Sequence, residues 1–221
     1  PVNAAAWLRD YEREIRYLKE HDVAATDFVQ QQWEQLQRDN APQVVTTVSP
    51  LLTTTWNQSP YYNDLCPYDS EYGERAVAGC VATATSQVMK YWNHPSVGVG
   101  SHSYVHPTYG TLSADFANTT YNWSQMPNNL SSSSSTAQKT AVATLCYHIG
   151  VAIEMDYGVT GSGAYTFEYG QSLPSAENAL KTYFKYRNTL HGEFKQFYTD
   201  AQWLDMLRAD LDLSHLVARY N

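Results

Sequence analysis

An α+β fold with several helices is what the sequence predicts, on three observations. Apolar residues recur at intervals of three and four in several stretches, the spacing of amphipathic helices. The glycine-punctuated segment VGVGSHSYVHPTYGTLSADF has the turn chemistry of a hairpin around Tyr109-Gly110. The closing residues, LSHLVARYN, alternate in the manner of a strand.

From Ala4 to Leu18 the positions Trp7, Leu8, Tyr11, Ile15 and Leu18 form one apolar face. Thr26 and Asp27 are suited to cap a second helix carrying Phe28, Val29, Trp33 and Leu36. A boundary is expected near residues 38 to 48, where Asn40-Ala-Pro leads into a polar and β-branched stretch. LLTTTWNQSPYYNDLCP then reads as loop. A helix opening at Cys80 places Val81, Ala84, Val88 and Met89 near one face, and Asn93-His94-Pro95 ends it. The chain around His102 and His106 reads as irregular and polar. SSSSST, residues 131 to 136, runs into a helix with Ala137, Ala141, Val142, Leu145 and Ile149, for which Gly150 is the expected left-handed C-cap. Further helices are expected from Ser175 and from Asp200.

Composition narrows the function classes. The 221 residues, 43% hydrophobic, supply ample apolar content for a core. A balance of 14 Lys+Arg against 22 Asp+Glu, net −8, disfavours nucleic acid or an anionic membrane as partner. No apolar run approaches the roughly 20 residues of a membrane span. Cys66, Cys80 and Cys146 cannot all pair, and they lack the close spacing of a zinc site, so no metal or cofactor is expected and at least one thiol is free. Cys146 lies at helical spacing from Val142 and Ile149 and reads as core.

Cys80 is different because of where it stands. The first turn of a helix favours a thiolate through its free amides and the positive end of the macrodipole. Gly79 leaves room for a substrate carbonyl, and the Cys80 amide is placed to donate to an oxyanion. Gln58, in the loop-like WNQ upstream, offers a side-chain amide as a second donor. Taken singly, each residue has an ordinary explanation as a buried cysteine or a surface glutamine; together they suggest acyl chemistry.

GCVATATSQVMKYWNHP, with PLLTTTWNQSPYYNDLCP before it and VGVGSHSY, MDYG and GSGA after it, resembles the streptopain family of papain-like cysteine peptidases. The resemblance runs in order from about Val48 to Asn221. It implies a two-lobed fold, a helical lobe and an antiparallel sheet lobe, preceded by a helical propeptide. In those terms residues 1–43 are the later part of an inhibitory propeptide and residues 44–221 a papain-like catalytic domain lacking its C-terminal part. Cys80 matches the family nucleophile, and Gln58 with the Cys80 amide matches the oxyanion hole. Gly161, Ser162, Gly163 and Ala164 match a loop beside the substrate cleft. Protein or peptide substrates and a secreted zymogen follow from the same resemblance.

The base is the departure. The family histidine arrives in a Gly-Gly-His stretch expected past Asn221. Of the seven histidines, His94 belongs to a helix stop, His148 reads as core, and His215 aligns with the stretch before the catalytic histidine. A cysteine endopeptidase is therefore the expected function, with this stretch inactive without its base. A catalytically silent binding homologue, or a papain-like enzyme of other acyl chemistry, is the competing expectation.

Overall fold

The helix that carries Cys80 starts on a glycine rather than on a polar cap. In the computed structural model, which describes residues 50–168 and 173–212 together with 15–17, 19–21, 24, 30, 31 and 34, α1 spans Cys80–Trp92 and follows two short strands, β1 (Tyr68–Asp69) and β2 (Glu74–Arg75). Gly79 occupies the N-cap at φ 87°, a backbone region that favours a residue without Cβ. At the other end Asn93 takes the left-handed conformation at φ 47°, and its side-chain Oδ1 accepts from Lys90 Nζ. The expected stop at Asn93-His94-Pro95 is thus realised.

Val81, Ala82, Thr83, Thr85, Ser86 and Met89 of α1 are buried, whereas Ala84 and Val88 are half-buried. The buried face is therefore rotated and broader than apolar spacing suggests, because small polar residues join it. A helix wrapped on several sides cannot be read from its hydrophobic residues alone.

A hairpin follows. Strands β3 (Ser101–His106) and β4 (Gly110–Asp115) pair antiparallel from Ser101 with Asp115 to His106 with Gly110. The turn lies where Tyr109-Gly110 predicts it, but the flanking chain is regular strand rather than irregular. Val105 is 75% exposed, whereas His102, Tyr104 and His106 face inward. Polar aromatic residues are tolerated there because each finds a partner: Tyr104 Oη donates to Met155 O at 2.6 Å, and His106 Nδ1 accepts from Thr108 N at 3.1 Å while its Nε2 lies 3.0 Å from Tyr157 N.

The central helix, α2 (Thr136–Ala152), opens on a capping box in which Ser135 Oγ accepts from Gln138 N and Gln138 Oε1 accepts from Ser135 N. Such a cap contributes about 1 kcal/mol. The apolar side chains of its C-terminal half contribute more, about 1.5–3 kcal/mol each for Val142, Leu145 and Ile149, which are fully buried. Cys146 lies among them, as expected. Gly150 is not the C-cap. The helix runs on to Ala152, and Glu154 takes the positive φ of 50° instead. Gly150 serves packing, since a Cβ there would lie 2.9 Å from Tyr157 Cζ.

Helices α3 (Ala176–Tyr183), capped by Ser175, and α4 (Asp200–Asp212) match the expected starts. Phe116 and Phe184 close the core at the α2–α3 side with ring centroids 5.3 Å apart. The expected strand at LSHLVARYN, including His215, and most of the two helices expected before residue 38 lie outside the described residues. By its contacts the chain divides into two units, Pro1–Thr47 and Val48–Asn221. Within the first, the described residues 15–17, 19, 20, 30, 31 and 34 are helical.

His148 on α2 is 9% exposed, and Tyr121 Oη is 3.0 Å from its Nδ1. Burial lowers its pKa from 6.5 to about 4, against a smaller opposing pull from Asp115. Above pH 6.5 the imidazole is neutral in both states; as pH falls from 6.5 to about 4, the unfolded chain takes up a proton that the folded chain refuses. Urea midpoints should therefore fall across that window, and His148→Phe should remove this part of the acid loss whatever its absolute stability. An unchanged pH slope in the variant would contradict the assignment.

Candidate active site

Three thiols occupy three environments, and only one meets solvent. Cys66 and Cys146 are fully buried, and burial pushes each up to about 12. Proximity to Cys146 adds to the rise at Cys66. Both are therefore held as neutral thiols. Cys80 is exposed. It is the first residue of α1, where the leading amides have no acceptor within the helix. The first turn carries no acidic residue and Lys90 lies in the last, so no carboxylate of the helix competes for its positive end.

The peptide leading into Cys80 is held by two separate pieces of chain. Gln58 O accepts from Ala78 N at 3.1 Å, which places the main chain of Gln58 one hydrogen bond from the segment ending in the cysteine. The Gln58 segment is itself anchored: Trp56 N donates to Gln87 Oε1 on α1, Trp56 Nε1 donates to Pro127 O, and Thr55 N donates to Asn128 O. On the opposite side, Val77 N donates to Gly158 O at 3.1 Å.

Gly158 belongs to the loop expected beside the cleft, which is the second piece. Asp156 and Gly163 exchange backbone hydrogen bonds of 2.9 and 3.0 Å, closing residues 156–163 at their base. Ser162 turns inward, its Oγ donating to Val77 O at 2.7 Å and accepting from Gly158 N at 3.1 Å. Gly163 is exposed and Ala164 half-buried. A Cβ on Gly79 would lie 2.6 Å from Met155 Cε and 3.2 Å from Ser162 Cβ. The positive φ favours glycine before the cysteine, and a Cβ there would also press on the end of the Met155 side chain and on Ser162.

Met155 and His106 are the participants that sequence reasoning missed. Met155 is fully buried and lies against Gly79. His106, expected in a polar loop, is on β3 and 3% exposed. Its Nδ1 accepts from Thr108 N and its Nε2 lies 3.3 Å from Asp156 Oδ1, so it braces the base of the 156–163 loop. The signal was present in the period-2 spacing of His102, Tyr104 and His106, which hydropathy hides because Val105 is the apolar residue.

The other described histidines are engaged elsewhere. His94 bonds Lys185 O, His102 lies between Glu154 and Tyr183, and His191 bonds Thr189 O and pairs with Glu193. Among the described residues, no hydrogen bond joins a histidine to Cys80.

Known proteins share this arrangement of sequence. The chain is 28% identical over 96% of its length to the thiol protease/hemagglutinin PrtT of Porphyromonas gingivalis, and 31% identical over 71% of its length to streptopain of Streptococcus pyogenes. It spans 24% and 41% of those two proteins. Among solved structures it is similar to active wild-type interpain A, a cysteine protease of Prevotella intermedia, with 43% identity, a TM-score of 0.68 and coverage of 76% of this chain and 67% of that one. A cysteine-to-alanine mutant of a prointerpain A fragment gives 42% identity and the same TM-score, with coverage of 76% of this chain and 52% of that one. The fold is the papain-like α+β fold of interpain A, represented among the described residues by helices and two small antiparallel sheets. The peptidase C10 family profile matches residues 56–220, and the chain belongs to that family.

Proposed function

We propose that this chain is part of a secreted cysteine endopeptidase in its proenzyme form, with Cys80 as nucleophile. The observation that carries the reading is the exposed thiol of Cys80 as the first residue of α1, in a chain of the peptidase C10 family. The thiolate sulfur attacks the carbonyl carbon of a peptide bond, and the carbonyl oxygen takes the negative charge. That oxyanion is received by the Cys80 amide and the Gln58 side-chain amide. Collapse of the tetrahedral intermediate expels the amine, which takes a proton from a histidine, and leaves a thioester that water hydrolyses. The histidine lies past Asn221 in this reading. The engagement of the described histidines elsewhere supports that placement.

The substrates are proteins or peptides, and the loop through Ser162, Gly163 and Ala164 borders their cleft. Residues 1–43 act as an intramolecular inhibitor of the domain that begins near residue 44. The likeness to a prointerpain fragment and the separate unit at Pro1–Thr47 support this part of the reading. A silent binding homologue is the outcome if the full-length protein hydrolyses no peptide.

Two experiments test these roles in the full-length protein. Cys80→Ala should abolish peptide hydrolysis, and Gln58→Ala should lower kcat by about 100-fold or more with KM little changed, the signature of a lost oxyanion donor. Full activity in Cys80→Ala would end the assignment. Deleting residues 1–43 should raise hydrolysis of a short fluorogenic peptide, and adding that segment back in trans should lower it; indifference to both would remove the inhibitory role.

A further inference from the structure

We propose that Thr83 is a positioning residue for the oxyanion donor at Cys80, an inference that rests on Cys80 being the nucleophile. The Cys80 N–H and the Gly79 carbonyl belong to one planar peptide unit and point in opposite directions. Fixing either therefore fixes the other. The Gly79 carbonyl accepts two bonds from one residue, from Thr83 N at 3.0 Å and from Thr83 Oγ1 at 2.9 Å. The first is the bond any residue at that helical position would give. The second is available only to a hydroxyl side chain reaching back one turn.

Thr83 is 6% exposed, so this bond is shielded from water. It has two effects on the peptide unit. It holds the plane with the Cys80 N–H directed away from the helix, and by drawing electron density onto the carbonyl it strengthens the N–H as a donor. Other nearby bonds do not do this: Ser162 Oγ holds Val77 and Gln58 O holds Ala78. Nor does the fold demand the hydroxyl. Alanine is the better helix former, valine has the same shape, and the Gly79 carbonyl would keep its bond from the amide of residue 83 in either case. A buried hydroxyl aimed at the carbonyl of the oxyanion-donating peptide is accounted for by the chemistry at Cys80.

The test compares Thr83→Val and Thr83→Ser in the full-length protein. Three readings are taken: kcat and KM on a peptide, affinity for a peptide aldehyde whose thiol adduct places an oxygen on the oxyanion donors, and the rate of Cys80 alkylation by iodoacetamide, which places none there. Thr83→Val should lower kcat and aldehyde affinity each by about tenfold, less than the roughly 100-fold or more of losing a donor outright, with KM and alkylation within about twofold. Thr83→Ser should restore both. If kcat and aldehyde affinity in Thr83→Val stay within about twofold of the unaltered protein, the proposal is overturned; a parallel fall in alkylation overturns it too, by making Thr83 a support for the thiol or the fold. Should Thr83→Val fail to fold, Thr83→Ala carries the same expectations. Failure of the underlying reading is separately visible, as peptide hydrolysis that survives complete alkylation of Cys80 in the unaltered protein.

Discussion

The absence of a side chain at Gly79 is the constraint on which the arrangement around Cys80 depends. Its φ of 87° starts α1 abruptly, so that the cysteine becomes the first helical residue instead of lying inside a turn. The space a Cβ would need is occupied by Met155 and Ser162. Any L side chain at this point meets the backbone penalty of a positive φ, and its Cβ would press on the Met155 side chain and on Ser162 of the 156–163 loop. The opening of the helix and the wall beside it are thus one packing problem with one solution.

Elements remote in sequence feed into that point. Tyr104 of β3 bonds Met155 O and His106 Nε2 lies against Tyr157 N and Asp156 Oδ1, so the hairpin fixes the chain that leads into the loop. Ser162 then returns the loop to Val77. From the other side, Trp56 and Thr55 hold the segment whose Gln58 carbonyl meets Ala78. Buried polar groups cost stability when unpaired, and Ser162 and Thr83 spend their hydroxyl hydrogen bonds on the backbone at Val77 and Gly79, just before the cysteine. The core beneath, α2 with Met89 of α1, supplies hydrophobic burial that offsets the cost of ordering these loops.

Much of this was legible in the sequence, and the failures have specific causes. The starts at Cys80, Ser175 and Asp200 and the capped entry at Ser135 follow from local chemistry, which acts over three or four residues. The place of Cys80 as the first residue of α1 was legible for the same reason, since Gly-Cys at a helix start is a local pattern. Gly150 was misread because its role is to admit Tyr157, a contact that no local pattern records. The inward face of β3 was hidden because His102, Tyr104 and His106 are polar by composition and each meets a partner some 50 residues or more away in the chain. Thr83 looked like any helical threonine until its hydroxyl was seen on the Gly79 carbonyl.

The central claim is that Cys80 forms the covalent acyl intermediate. Its most direct measurement is rapid acid quench of the full-length protein with a peptide ester, followed by peptide mapping by mass spectrometry. An acyl group on the peptide containing Cys80, appearing in a burst before steady turnover, is the predicted result. Hydrolysis that proceeds with no acyl group on Cys80, or with one on another residue, would contradict it.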